Sequence, residues 1–175
     1  MNLPSILLLS VLGALTAAGC GHSPDWVRSL DAATSLSVSE GLPHQVREAA
    51  LLEQEQQRTD TTMLGGFAFY TPPVTADRDQ ARRLKRVLGD GDRYASLSTR
   101  LPTDCGPFHP DYAVQWIDDA GTQQLLVCFT CGEVRRLSGG EQEAFHFGLM
   151  NELEAVLDEY ASKRPKQGTI PATTD

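Results

Sequence analysis

Residues 112–137 read YAVQWIDDAGTQQLLVCFTCGEVRRL, and the fold class follows from this stretch. Residues 112–117 are rich in β-branched and aromatic side chains, and the Asp-Asp-Ala-Gly sequence at 118–121 is typical of a hairpin loop. Residues 124–129 and 133–137 repeat the apolar composition on either side of a second short turn. Strands that are joined by tight turns pair antiparallel. The stretch therefore predicts three neighbouring antiparallel strands.

Patterns on both sides of this stretch add strands and helices. The alternation at residues 36–38 and the run Phe-Ala-Phe-Tyr at 67–70 predict two more strands. Apolar residues at helical spacing predict three helices. These cover residues 44–58, residues 77–88, and a C-terminal segment marked by Phe145, Leu149, Leu153, Val156, Leu157 and Tyr160.

Together these elements predict an α+β fold, in which a small antiparallel sheet of three to five strands packs with two or three helices. We place this single domain at residues 34–162. Residues 163–175 contain two prolines and three threonines and are predicted to form a disordered tail.

Composition limits the classes of function. The chain has 175 residues, of which 41% are hydrophobic and 22% charged, and this suits one ordinary globular domain. Its formal net charge is −8. A negative surface repels the phosphate backbone, so the composition argues against general nucleic-acid binding.

The N-terminal residues are typical of an export signal. An almost wholly apolar run at 6–18 spans about 20 Å as a helix, which is too short for a bilayer core of about 30 Å. The run ends in LTAAGC at 15–20, which resembles the processing site of bacterial lipoproteins. We predict a signal peptide over 1–19, acylation of Cys20 by chains such as palmitate, and a tether over 20–33. An ordinary cleaved signal peptide and an unrelated cysteine are the alternatives.

Lipidation would place the exported domain at a membrane, because several acyl chains give stable anchoring. Gly21 rather than an aspartate follows Cys20, and in bacteria with two membranes this favours the outer membrane or its periplasmic face. The predicted partners are the membrane, through the lipid anchor, and an envelope protein. No nucleic acid is expected.

Three further cysteines and a histidine lie in strings with the spacing of metal sites. Cys128 and Cys131 form a Cys-x2-Cys-Gly string, and Cys105 and His109 would complete a tetrahedral zinc site. The same residues suit a disulfide between Cys105 and either Cys128 or Cys131, because exported proteins meet an oxidising environment. Free thiols are the remaining alternative.

No catalytic set is evident in the sequence. A thioredoxin-like Cys-x-x-Cys begins a helix, whereas Gly-Glu-Val-Arg after Cys131 is typical of a strand. A haem attachment string needs a histidine directly after the second cysteine, where this chain has Gly132. His44, His109 and Asp111 are available for acid–base chemistry if the fold brings them together. The sequence therefore predicts no catalytic residues and no cofactor other than a structural zinc.

The helix predicted at 77–88 carries a basic stripe. Arg78, Arg82 and Arg86 are spaced i, i+4, i+8 and share one face. This face suits contact with an anionic surface such as lipid head groups near the anchor. The alternative is a solvated face that pairs with neighbouring acids.

Four strings resemble a family of exported bacterial proteins that is found mainly in planctomycetes. The strings are EGLPH at 40–44, GFAFY at 66–70, CGPFHPDY at 105–112 and VCFTCGE at 127–133. The similarity covers residues 34–164. In that family the last string commonly reads Cys-Phe-Gly-Cys-His-Glu, so Gly132 replaces a histidine. The resemblance implies one domain in which the cysteines group with His109, and it implies no activity.

Two hypotheses of function follow. The first is a lipid-anchored protein of the bacterial envelope whose domain binds a partner or serves structurally, without catalysis. It is based on the lipoprotein signal, the acidic composition and the lack of a catalytic set. The alternative is a zinc- or thiol-dependent protein that uses Cys105, His109, Cys128 and Cys131.

Overall fold

The computed structural model describes residues 24–58, 60–97 and 107–165. The helices in these ranges are α1 (Trp26–Ala32), α2 (Ala49–Arg58), α3 (Arg78–Leu88) and α4 (Met150–Leu157). The strands in the first half are β1 (Ser37–Glu40), β2 (Thr61–Leu64), β3 (Phe67–Tyr70), β4 (Val74–Thr75) and β5 (Tyr94–Ser96). Those in the second half are β6 (Tyr112–Asp118), β7 (Gly121–Cys128), β8 (Glu133–Ser138) and β9 (Glu141–Phe147). Short 3-10 helices cover Gly91–Arg93 and Asp158–Tyr160.

Seven of the described strands form one antiparallel sheet in the order β4-β1-β6-β7-β8-β9-β5. Strands β6 to β9 follow one another through tight turns and form its centre. The remaining strands, β2 and β3, form a separate antiparallel hairpin. A single bridge between Gly41 and Phe69 links this hairpin to the end of β1.

Strands β6 and β7 are buried on both faces of the sheet. Successive side chains of a strand point to opposite faces. On β6, Val114 therefore belongs to the main apolar core, and its neighbour Ala113 belongs to a second core. On β7, Leu125 and Leu126 are divided in the same way. The sheet thus carries a packed layer on each side.

Helices cover the first face of the sheet. Leu30 of α1, Leu84 of α3 and Leu153 of α4 are fully buried in the main core, together with Trp116 of β6. The indole Nε1 of Trp116 donates a hydrogen bond of 3.0 Å to Oγ of Ser29, so α1 is fixed to the sheet by a polar contact as well. The hairpin of β2 and β3 contributes Phe69 to the second core on the opposite face.

Helix α3 begins at Arg78, one residue after the predicted start at 77, and Asp77 caps it. The Asp77 side chain accepts hydrogen bonds from the backbone N–H groups of Asp79 and Gln80, and the Gln80 side chain accepts one from the Asp77 N–H group. This capping box satisfies donors that have no partner within the first helical turn.

The predicted α+β class with an antiparallel sheet is confirmed, but the sheet is larger than the expected three to five strands. The described residues contain a seven-stranded sheet, a two-stranded hairpin and four α-helices. The predicted C-terminal helix is divided, because Phe145 lies in β9 and the helical part begins only at Met150. The helix predicted at 44–58 begins at Ala49.

Both expected ends of the domain extend further than the sequence indicated. The predicted tether at 20–33 includes α1, whose Trp26 is 4% exposed in the main core. At the other end, the backbone N–H groups of Lys163 and Arg164 bind a buried carboxylate, although the tail was expected to begin at 163. None of the helices in the described ranges is long and apolar enough to span a membrane.

Candidate functional site

Two of the strings that carry the family resemblance meet at one end of the sheet. The backbone N–H of Gly41 donates a hydrogen bond of 2.7 Å to the carbonyl oxygen of Asp111. A Cβ atom on Gly41 would lie 2.3 Å from the carbonyl oxygen of Pro110. Only glycine permits this close approach of two backbone segments. The glycine thus brings the segments that contain His44 and His109 together.

His44 and His109 form a stacked pair at this junction. Their ring centroids are 4.7 Å apart, and the ring planes differ by 48°. Nδ1 of His44 accepts hydrogen bonds from the N–H groups of Val46 (3.1 Å) and Arg47 (3.3 Å). A nitrogen that accepts hydrogen bonds carries no proton, so the His44 proton belongs on Nε2.

One ring nitrogen of each histidine forms no hydrogen bond within the described part of the chain. Nε2 of His44 and Nδ1 of His109 are both buried and have no hydrogen-bond partner there. Burial lowers the pKa of His109, and the nearby His44 and Arg164 act in the same direction, whereas Asp111 opposes them. Burial therefore favours the neutral form of His109.

Arg164 connects the C-terminal segment to two carboxylates beside the histidines. Its guanidinium forms ion pairs with Glu48 and, at 3.4 Å, with Asp111. The other carboxylate oxygen of Asp111 accepts a hydrogen bond of 2.9 Å from the backbone N–H of Phe129. Asp111 therefore connects Arg164 to the turn between β7 and β8.

Glu40 holds the same C-terminal segment through its backbone. Its Oε2 atom accepts hydrogen bonds from the N–H groups of Ser162 (3.1 Å), Lys163 (2.9 Å) and Arg164 (3.2 Å). The Glu40 residue is only 7% exposed. We refer to Glu40, Glu48, Asp111 and Arg164 as the C-terminal clasp. A cavity of about 270 Å³ lies beside it.

Two of the cysteines, Cys128 and Cys131, lie in the second core. Cys128 ends β7, and Cys131 lies in the following turn, where Gly132 adopts a positive φ of 62°. The N–H of Cys131 donates to Sγ of Cys128 at 3.4 Å. Both side chains pack in the same cluster because Cys131 has left the strand. The straight strand that would have separated the two sulfurs is thus absent at this point of the described chain.

The two cysteines differ in oxidation state. Cys128 is a free, fully buried thiol, and burial raises its pKa. Cys131 is disulfide-bonded, and the other half of this bond lies outside the described residues. A disulfide between Cys105 and Cys128 is therefore excluded. Cys105 itself lies outside the described residues.

The described residues include three of the four expected zinc ligands, since Cys105 lies outside them. Across residues 24–58, 60–97 and 107–165, no group of three or more His, Cys, Asp or Glu side chains could hold a metal ion. Cys131 is in a disulfide and has no thiolate to offer. The ring of His109 packs against the ring of His44.

The basic stripe of α3 lines a separate cavity of about 760 Å³. Arg78, Arg82 and Arg86 are exposed along one face of the helix, as the spacing predicted. Arg82 pairs with Asp79 at 3.1 Å, in an exposed contact. Arg78 and Arg86 have no ion pair with any described residue. The stripe is thus an exposed face, of which Arg82 pairs with a neighbouring acid among the described residues.

Sequence reasoning missed most of the clasp. It singled out His44, His109 and Asp111 without pairing them, and the structure brings all three to one place. It gave no role to Glu40 or Arg164. The signal that could have found them is their position, because Glu40 begins the first string of the resemblance and Arg164 ends the similar region. Cys20, the predicted lipidation site, lies outside the described residues.

Comparisons of the chain with protein-family models, with curated proteins and with solved structures find no match.

Proposed function

We propose that this chain is a lipid-anchored protein of the bacterial envelope, in which a non-catalytic binding domain is held close to the membrane by Cys20. The observation that supports this most directly is the position of α1. Trp26 is already part of the main core, six positions after Cys20. Six residues span at most about 20 Å, so the anchor would leave the domain little freedom to move away from the membrane.

The arrangement of α1 and α3 supports a basic surface near the membrane. The Nζ atom of Lys85 donates hydrogen bonds of 2.6 Å to the carbonyl oxygens of Asp31 and Ala33, at the end of α1. Lys85 of α3 therefore contacts the end of the helix that would follow the anchor, and the exposed basic stripe lies on the same helix. In this proposal Arg78, Arg82 and Arg86 contact the anionic surface. An envelope protein that binds the same domain stays a prediction.

The use of the polar side chains supports a non-catalytic role. The carboxylates of Glu40 and Asp111 are bonded to backbone N–H groups, and Nδ1 of His44 accepts from two more. Groups in this arrangement hold loops in place. Glu40, Asp111 and Nδ1 of His44 are thus engaged in structural hydrogen bonds.

The disulfide of Cys131 is consistent with export, because disulfides persist in oxidising compartments. We assign its partner as Cys105. Cys128 is free and so is not the partner. Cys105 lies three positions before Phe108, and Phe108 packs in the same cluster as Cys131. A peptide map under non-reducing conditions should contain a linked pair with Cys105 and Cys131. A map in which Cys131 is linked to another cysteine would overturn this assignment.

The anchor is tested by expressing the full chain in a bacterial host and measuring the intact mass of the protein from the membrane fraction. We expect a chain that begins at Cys20 and carries the added mass of the acyl chains. The Cys20→Ala variant should lose this mass, whereas Cys128→Ala should keep it. A mature chain without lipid mass would contradict the proposal.

A further inference from the structure

The cavity beside α3 has a charge that contrasts with the rest of the protein. Its helical wall carries four cations, Arg78, Arg82, Lys85 and Arg86, and the carboxylates that line it among the described residues are those of Asp31 and Asp77. We call this cavity the basic groove. It is positively lined although the chain has a net charge of −8. Carboxylates that could have neutralised it are abundant elsewhere.

The carboxylate of Asp77 is already engaged. It accepts hydrogen bonds of 2.8 Å from the N–H groups of both Asp79 and Gln80, where it also compensates the positive end of the helix dipole. Its charge is therefore directed at the backbone of α3. The acids that oppose a ligand near these cations are then Asp31, which is exposed at the end of α1, and Asp79, which pairs with Arg82 at 3.1 Å.

Lys85 supplies a fixed positive charge. Its two hydrogen bonds of 2.6 Å go to the carbonyl oxygens of Asp31 and Ala33, which are neutral acceptors. The ammonium is thus held in position and forms no ion pair with a carboxylate of the described residues. A charge that is already ordered costs less side-chain entropy when a ligand binds.

Arg78 is placed at a cost in stability. It is the first residue of α3, where the helix dipole disfavours a cation. It also lies four residues from Arg82, and like charges at this spacing repel each other. By contrast, Arg83 of the same helix forms an ion pair with Glu159. Arg78 thus lies at an unfavourable position and forms no ion pair with a described residue. An anion that binds to Arg78 would explain why an arginine is found there.

We propose that the basic groove binds the phosphate group of an anionic lipid head group. Arg78, Arg82 and Arg86 extend over about 12 Å along the helix, and each planar guanidinium can donate two hydrogen bonds to a phosphate. The hydroxyl groups of Thr34, Ser35 and Thr75 on the opposite wall add donors. The inference rests on the proposed function in one respect: the membrane anchor is the reason to name a lipid as the source of the phosphate.

The experiment uses residues 21–175, because all residues of both core clusters lie between Trp26 and Tyr160. Backbone amide NMR shifts are followed during titration with sn-glycerol 3-phosphate and, separately, with sodium chloride at matched ionic strength. Binding to vesicles of phosphatidylcholine, with and without phosphatidylglycerol, is measured by sedimentation. We expect the phosphate ester to shift amides in 31–36 and 78–86, and vesicle binding to require phosphatidylglycerol.

Matched variants separate a site from general charge attraction. The double variant Arg78→Gln/Arg86→Gln should weaken binding about tenfold, because it removes guanidinium contacts that have no competing ion pair. The control Arg28→Gln/Arg47→Gln changes the net charge equally on other surfaces and should leave the affinity within about twofold. Asp31→Asn should strengthen binding about twofold, since it removes an opposing carboxylate.

The two ligand arms distinguish the sources. Binding to phosphatidylglycerol vesicles, lost in Arg78→Gln/Arg86→Gln, supports the head group. Binding of glycerol phosphate without vesicle binding overturns the lipid source and assigns the groove to a soluble phosphate ester. Absence of binding in both arms, or an equal loss in the control variant, overturns the site itself. The intact-mass experiment on Cys20 is independent of these arms, so failure of the anchor is recognised separately.

Discussion

The charged side chains of the C-terminal clasp and those of the basic groove differ in burial and in pairing. In the clasp, Glu40 and Arg164 are largely removed from water, and each is bonded to groups of the protein. In the groove, Arg78 and Arg86 are exposed and form no ion pair with the described residues. A charge that is buried must be compensated within the fold, whereas an exposed charge can remain available for a ligand. The contrast teaches that the clasp stabilises the fold and that the groove is free to bind.

The largest effect is expected for Glu40→Ala in the clasp. The substitution leaves the N–H groups of Ser162, Lys163 and Arg164 without their acceptor in a place with little access to water. We expect the free energy of unfolding to fall by about 3 kcal/mol. Urea denaturation of residues 21–175 measures it, with Glu141→Ala on the exposed part of β9 as the control. An equal effect of both variants would remove the structural role of the clasp.

A smaller loss is expected for Arg164→Gln. The guanidinium bridges Glu48 and Asp111, whose side chains are 10% and 16% exposed, so its removal leaves two poorly hydrated carboxylates without their cation. We expect a destabilisation of about 2 kcal/mol, less than for a fully buried pair because the Arg164 side chain is 20% exposed. The Arg164→Lys variant, with a single charge, should recover part of this loss. If the free energy of unfolding of Arg164→Gln equalled that of the wild-type chain, the clasp would not stabilise the fold, and its contrast with the groove would be lost.

The stability of the region beside the clasp is expected to depend on pH through His109. Burial lowers the pKa of His109 below its usual 6.5, so the unfolded chain binds a proton more readily than the folded one. The contribution of His109 to stability is therefore complete above pH 6.5 and is lost as the pH falls below that value towards its lowered pKa.

Urea midpoints measured at about pH 7.5 and about pH 5.5 should show this loss. The loss between the two pH values should be smaller in His109→Gln than in the wild-type chain, whereas His146→Gln should keep the wild-type difference. A His109→Gln variant with an unchanged pH difference would show that the buried imidazole does not cause it.

The smallest effect, with the opposite sign, is expected for Arg78→Gln in the groove. The substitution removes a cation from the first residue of α3 and relieves its repulsion with Arg82. We expect the free energy of unfolding to rise by about 0.5 kcal/mol at low ionic strength and this gain to shrink as salt screens the charges. A loss of stability above about 1 kcal/mol would mean that Arg78 is a structural residue, as Arg164 is.

Local signals explain which elements the sequence predicted well. Helix α3 has its capping residue, its apolar positions and its terminal glycine within one short stretch, so the predicted bounds 77–88 agree closely with Arg78–Leu88. The strands β6, β7 and β8 were found for the same reason, because tight turns and apolar runs follow one another directly. Strand β9 was missed because Phe145 and Leu149 are also spaced as in a helix. Only pairing with β8 and β5 makes this segment extended.

The candidate sites divide in the same way. The basic stripe was visible in the spacing of Arg78, Arg82 and Arg86, but the cavity in front of it is formed by residues 31–36, which are distant in sequence. The clasp was not predictable, since Arg164 lies 124 positions from Glu40. A pattern search reads neighbours along the chain and contains no information on such a contact.

What this sequence determines by itself is local: the capped helix α3, the hairpins of the sheet centre, the acidic composition, and the N-terminal pattern that predicts export. The tertiary structure alone decided how the charges are used. Folding brings Glu40 to the backbone of Arg164 and His44 to His109, while Arg78 forms no ion pair with a described residue. The physical reason is that hydrogen bonds and ion pairs depend on distances of a few ångströms, and those distances are set by packing between segments that are remote in sequence.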